Sequence, residues 1–165
     1  MLTQERALEL FHYDEATGKL FWRVSRGRTK AGNEADCATS DGYLRVAADG
    51  RRYRVHRVIF LMKTGRWPVP DCDHRDLNGV NNLWNNLREA TRSQNKANEP
   101  VHCGRTDRLK GAYHHKKHGG WSSRIKVMGK MLHLGYFKTK EEAHECYKVA
   151  ADKYFGEFAY HNSNQ

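Results

Sequence analysis

The stretch Asp71-Cys-Asp-His-Arg-Asp-Leu-Asn-Gly-Val-Asn-Asn-Leu-Trp-Asn-Asn-Leu-Arg-Glu-Ala-Thr-Arg-Ser-Gln-Asn-Lys-Ala-Asn98 is rich in Asn and Asp yet bracketed by apolar residues. Asn side chains bond nearby backbone groups and favour turns, so Asn78, Asn81, Asn82 and Asn85 read as parts of a turn-laden loop. Asp73 and His74 ask for more than that. A neutral imidazole, with an unperturbed pKa of about 6.5, is a general base suited to neutral pH. A hard ion such as Mg²⁺ takes oxygen ligands and keeps positions open for phosphate and water, which makes the Asp73 carboxylate and the Asn95 amide oxygen a workable two-point site. Neighbours on a strand point to opposite faces, so Asp73 and His74 serve ion and water separately where a twist or turn brings both into one cleft. These are the groups that phosphodiester hydrolysis needs: a deprotonated water in line with the leaving oxygen, and a cation to neutralise the developing charge.

The same residues resemble the HNH nuclease motif, with His74 as the first H, Asn86 as the N and Asn95 replacing the final H. The Asn-for-His form is similar to free-standing homing endonucleases of phage type. Asp-His, the Asn-Asn-x-x-Asn-Asn-Leu-Arg run and the Ser-x-Asn tail occur in order, and upstream YDEATGKLFW, DGYLRV and His56-Arg57 resemble the N-terminal part of those enzymes. The resemblance implies a ββα-metal (His-Me finger) unit gripping one ion, with CDHRD as first strand, LREA as second, and a helix from Arg92 to about Asn98 presenting Asn95. It further implies His74 as catalytic base, Asn86 fastening the loop between the strands and orienting His74, and Asp73 with Asn95 as ligands of Mg²⁺ or Mn²⁺. Asn98 is an alternative ligand, since a spacing of three keeps it on nearly the same helix face. His56 caps its helix, packs beneath the site or adds a ligand; Arg75 and Arg88 are candidate phosphate contacts with no firm role.

Around this centre, LTQERALELF has helical spacing, while GKLFWRV and GYLRVAA alternate like strands between glycine-rich turns. HRVIFLMKT, from His56 to Thr64, is too apolar for a surface and is stopped by GRWPVP, so a buried helix is expected. EPVHCGRTDR has Pro, Gly and charges without periodicity and reads as a linker. The expected organisation is therefore 1–98 for the nuclease unit (1–55 helix and small strands, 56–98 helix and ββα core), 99–108 for the linker and 109–165 for a second domain.

In that second part LKGAYHHKK, WSSRIKVM and KMLHLGYF read as a three-stranded antiparallel meander, with turns at His118-Gly119-Gly120 and Met128-Gly129-Lys130. A helix follows: Thr139 and Glu142 form a capping box, Ala143, Cys146, Tyr147, Ala150, Ala151 and Tyr154 make its apolar stripe, and Gly156 ends it. Lys110-Gly-Ala112, Trp121-Ser-Ser-Arg-Ile125, Leu134-Gly-Tyr-Phe137, Thr139-x-Glu-Glu-Ala143, Tyr147 with Ala150-Ala151, and Phe155-Gly-Glu-Phe-Ala159 before Asn162 resemble the Apetala/ERF-type DNA-binding domain. In that family the sheet enters the major groove. With Ala112, Trp121, Ser123, Ile125, Val127, Leu132 and Leu134 inward, alternation leaves Tyr113, His115, Ser122, Arg124, Lys126, Met131 and His133 facing DNA, with Lys110 and Lys117 as further contacts. The family often places Arg or Trp where this chain has Tyr113, Met131 and His133, so base preference does not carry over. The fold class expected overall is α+β: a ββα-metal unit plus a three-stranded antiparallel sheet packed on one helix.

Lys and Arg number 29 against 19 acids, giving +10, as suits a polyanion partner, here double-stranded DNA. From Arg105 to Lys130 eight basic residues face the single acid Asp107, so the positive charge concentrates on the expected strands. No apolar run reaches membrane-span length and the N-terminus lacks a signal pattern, so a cytoplasmic protein, in the host cytoplasm if phage-encoded, is expected. Cys37, Cys72, Cys103 and Cys146 are scattered without a CxxC pair, which supports neither a zinc ribbon nor a disulfide framework. A monomer without protein partner completes the expectation. The competing function is a non-catalytic, sequence-specific DNA-binding regulator with a degenerate HNH site. A nuclease directed by RNA or by nucleic-acid structure is disfavoured for RNA by the lack of an aromatic base-stacking sheet signature.

Overall fold

The computed structural model describes residues 1–100, 109–115 and 119–160. Its packing separates two compact units, Met1–Ala90 and Thr91–Gln165.

In the first unit, Thr3 caps helix α1 (Gln4–Leu10) by accepting a hydrogen bond from the Arg6 backbone, and the chain passes directly into β1 (Phe11–Asp14), paired antiparallel with β2 (Lys19–Trp22). Strands β3 (Cys37–Ala38), β4 (Leu44–Ala48) and β5 (Arg51–Arg54) form a sheet in chain order. Helix α2 (Val55–Thr64) starts where β5 stops and ends at Gly65. It buries Val55, His56, Val58, Ile59, Phe60, Leu61 and Met62, so it is covered nearly all round, as its apolar sequence requires. Leu10, Phe11, Leu20 and Val46 complete the core around it. A hairpin follows, β6 (Asp71–His74) antiparallel to β7 (Leu87–Ala90), with register Asp73 to Arg88 and His74 to Leu87.

The second unit opens with α3 (Arg92–Asn98), begun by a Thr91–Gln94 capping box. The expected division at 99–108 therefore lies later than the packing division. The reason is local: α3 is held to the end of the chain, where the Tyr160 N–H donates to Ala97 O. Strands β8 (Ala112–His115), β9 (Gly120–Val127) and β10 (Lys130–Phe137) form an antiparallel sheet with β9 in the middle, backed by α4 (Lys140–Phe155). The Thr139–Glu142 capping box starts α4. Its buried stripe is Ala143, His144, Tyr147, Ala150, Ala151 and Phe155 rather than one through Cys146 and Tyr154. The shift by one residue follows from His144 turning inward to bond the Lys110 carbonyl with Nδ1, 2.8 Å away. Of the expected turns, Met128-Gly129 joins β9 to β10 with both residues at positive φ, while His118 lies outside the described residues.

Gly18, in the turn between β1 and β2, has φ +74°, and a Cβ there would sit 2.7 Å from the Leu83 backbone nitrogen. This turn is thereby pressed against the loop that follows β6. Gly18→Ala is expected to cost about 1–3 kcal/mol, from the left-handed backbone and the clash together. The measurement is a lower urea midpoint with an unchanged slope.

Candidate functional site

His74 ends β6 and is buried, 3% exposed. Its Nε2 lies 3.0 Å from Asn82 Oδ1, and Asn82 Nδ2 donates to Val80 O, so the amide turns its oxygen to the ring. That orientation corresponds to the tautomer with the proton on Nε2 and the lone pair on Nδ1. Asn82 is 2% exposed, and its backbone is held where its main-chain carbonyl accepts from the Tyr13 hydroxyl at 3.0 Å. The His56 ring of α2 meets the His74 ring edge-on, 4.8 Å between centroids, and Tyr43 lies 5.5 Å from His56 and 5.8 Å from His74. Of the three roles open to His56, packing beneath His74 is the one the geometry favours. Burial pushes the His74 pKa below its usual value, with Asn82 partly opposing, and pushes His56 down to about 2, the neighbouring His74 adding to the effect. His56 Nδ1 is buried without a hydrogen-bond partner.

Next to His74 in β6, Asp73 faces Arg88 across the hairpin. Arg88 Nε and Nη2 both donate to Asp73 Oδ2, at 3.0 and 2.9 Å, and both side chains are 6% exposed. Arg88 is thus a buried partner of Asp73, which its sequence position did not reveal. The Asp73 carboxylate suits a hard cation in chemistry, and the guanidinium sets its orientation while offsetting its charge. An ion held by Asp73 would have few protein ligands and would leave most of its positions to water and phosphate. Among the described residues no group of three or more His, Cys, Asp or Glu is placed to hold a metal ion.

Asn86 bonds within the loop between the strands. Its Nδ2 donates to Asp76 Oδ1 and Asn81 O at 2.9 and 2.8 Å, and its Oδ1 accepts from the Asp76 N–H, so it fastens the loop between β6 and β7. The side chain bonded to the His74 ring is Asn82, which sequence reasoning placed among the turn amides. No local signal separates it from its Asn neighbours; only the packing of Tyr13 and Gly18 against its backbone does. Asn95 and Asn98 lie on α3 in the second unit, Asn95 half-buried and Asn98 buried.

On the C-terminal sheet, Tyr113 and Met131 are exposed, at 49% and 58%, and His133 and Lys126 are exposed with them. The Arg124 guanidinium lies over the Tyr113 ring, 5.7 Å from its centroid, and His115 meets Tyr136 edge-on. Two expectations need correction. Ser122 is fully buried rather than available to DNA, because its neighbours across the sheet are the far larger Tyr113 and Tyr136. Lys110 is half-buried and directs Nζ at the carbonyls of Ala97, Glu99 and Lys96; burial pushes its pKa down to about 8. Tyr136 was missed for a clear reason: a register shift between His133 and Gly135 inserts one residue into β10, which carries Tyr136 onto the face of His133 and His115 against simple alternation. Lys117 lies outside the described residues.

The histidine pair predicts a pH dependence of stability. Below about pH 6.5 the unfolded chain protonates His56 and His74 while the folded chain resists, so their contribution is whole above that pH and is lost as the pH falls. Urea unfolding between pH 7.5 and 5 is expected to show His56→Gln with a shallower fall than the unsubstituted protein, by about 1 kcal/mol per pH unit. Equal slopes would show that the buried ring titrates normally.

Residues 53–97 match the family model described as HNH endonuclease. Over 116 residues the chain is 32% identical to a protein of Acanthamoeba polyphaga mimivirus described as an uncharacterized HNH endonuclease, covering 69% of this chain and 59% of that one. Over 49 residues, 28% of this chain, it is 51% identical to the AP2-like ethylene-responsive transcription factor CRL5 of Oryza sativa subsp. japonica and 49% identical to AIL5 of Arabidopsis thaliana. Those stretches are 8% and 9% of the plant proteins, so the chain spans less than a tenth of their length. No solved structure matches the chain significantly. The matched stretch runs from the end of β5 through the β6–β7 hairpin into α3, and it is this stretch that is similar to HNH endonucleases.

Proposed function

We propose that this protein is a metal-dependent endonuclease that hydrolyses phosphodiester bonds in double-stranded DNA, with His74 as general base and Asp73 and Asn95 as the protein ligands of a divalent cation, Mg²⁺ or Mn²⁺. The observation that carries the reading is the His74 ring: buried, with its pKa pushed down by that burial, and bonded through Nε2 to Asn82. A base of this kind takes a proton from water at Nδ1 without first having to lose one of its own at neutral pH. Asn86 keeps the loop closed under it, and Arg88 holds Asp73 in one orientation. The cation, when bound, neutralises charge developing on the phosphate and the leaving oxygen. The ββα-metal arrangement of β6, β7 and α3, and a free-standing homing role of phage type, belong to this proposal and draw on the family match and on the order of the elements.

The basic, aromatic sheet face supplies the second half of the proposal. Arg124 and Lys126 bind phosphate, and Tyr113, His115, Met131 and His133, joined by Tyr136, meet the bases. The likeness to AP2-like transcription factors supports it. A second reading, a DNA-binding regulator with a degenerate site, draws on one observation: the Asp73 oxygen that faces Arg88 already accepts two hydrogen bonds.

Plasmid nicking separates the two. Cutting is expected with Mg²⁺ or Mn²⁺ and not with EDTA, and His74→Ala should lose about a hundredfold or more in rate while still binding DNA. Binding without cutting by the unsubstituted protein favours the regulator; cutting that survives both EDTA and His74→Ala removes the mechanism. In gel shifts, Arg124→Ala with Lys126→Ala is expected to reduce the slope of log affinity against log salt by about 2, one for each phosphate contact.

A further inference from the structure

We infer that Lys110 is a positioning residue: it ties the C-terminal end of α3, the helix that carries Asn95, to the base of the DNA-facing sheet, and makes no contact with DNA. A lysine has three N–H donors. Lys110 Nζ donates to the carbonyls of Ala97, Glu99 and Lys96, the last two at 2.6 and 3.4 Å. No donor is left for a phosphate. Those acceptors are the ones a helix needs satisfied, because carbonyls in its last turn have no partner within it. With seven residues α3 is also too short to hold its own geometry, so what grips its two ends decides where it lies. Thr91 and Gln94 grip one end and Lys110 the other.

The other side of the tie is equally fixed. The Lys110 carbonyl accepts from His144 Nδ1 on α4 at 2.8 Å. Gly111 follows with φ +80°, its Cα so close to Tyr147 that a Cβ would stand 2.1 Å from the ring, and its carbonyl accepts from the Arg124 N–H of β9 at 3.0 Å. The ammonium lies 5.5 Å from the centroid of the Tyr160 ring, whose backbone N–H bonds the same Ala97 carbonyl. Lys110 therefore holds α3 with its side chain while its own carbonyl and that of Gly111 bind α4 and β9 just before β8 begins. The inference rests on the reading of Asn95 as a ligand: holding α3 to the sheet then holds a metal ligand, and outer residues that orient ligands change metal affinity when lost.

The test uses the full chain with Lys110→Met, Lys110→Gln should the first fail to fold, and Lys110→Arg as the conservative variant. Three readouts are needed: hydrogen exchange of a peptide spanning 92–99, the salt slope of DNA binding in EDTA, and the Mn²⁺ concentration giving half-maximal nicking. For Lys110→Met we expect faster exchange in that peptide, an unchanged salt slope and a half-activating Mn²⁺ concentration raised about tenfold or more, with Lys110→Arg near the starting values. A salt slope reduced by about one would make Lys110 a phosphate contact and overturn the inference. Unchanged exchange, or faster exchange with an unchanged Mn²⁺ requirement, would overturn it as well. If the unsubstituted protein shows no Mn²⁺-dependent nicking, the metal-site reading fails on its own, and exchange with salt slope still decide whether Lys110 ties α3 or touches DNA.

Discussion

Two four-residue strands face each other with an acid and a base across the pair, Asp73 and Arg88, both nearly excluded from water. So short a ladder supplies little register of its own. A slip by one residue would send every side chain to the opposite face and leave two buried charges without their partners, a state disfavoured by several kcal/mol. The ion pair adds little net stability, since desolvating two charges roughly cancels their attraction, but it rules out the wrong pairings. His74 is placed by that register, and the order of the whole centre follows from it.

The ring then depends on residues far away in sequence. Asn82 is aligned by Tyr13 of β1 and by a glycine turn that admits no side chain; Tyr43 and His56 fill the space beneath His74. The small strands and α2 that precede the hairpin are thus the support of the site. Their effect is electrostatic as well as steric: burial among these rings pushes the His74 pKa down and favours the neutral imidazole. The unpartnered His56 nitrogen is the local cost of enclosing two imidazoles together.

The second unit shows how cationic residues divide their labour. Arg124 and Lys126 keep to the outer face of the middle strand, whereas Lys110, two residues before β8 begins, turns back to the end of α3. What separates them is the supply of acceptors. A helix end offers bare carbonyls close by, and a flexible ammonium beside them is held more firmly there than on a surface.

The elements themselves were legible from the sequence. The hairpin with its Asp-His pair was what the family resemblance of 71–98 implied, while the buried α2 follows from its unbroken apolar run, the α4 start from Thr139 and Glu142, and the three-stranded sheet from alternation. These depend on local period and local hydrogen bonding, which a chain carries in its own order. Tertiary packing decided what local order leaves equal: which of several asparagines holds His74, that Arg88 serves Asp73, that a bulge brings Tyr136 onto the sheet face, that Ser122 is covered, and that Lys110 is occupied. Chemically alike side chains acquire different roles only when distant parts of the chain enclose one and leave another to water, and that enclosure has no signature in the neighbouring residues.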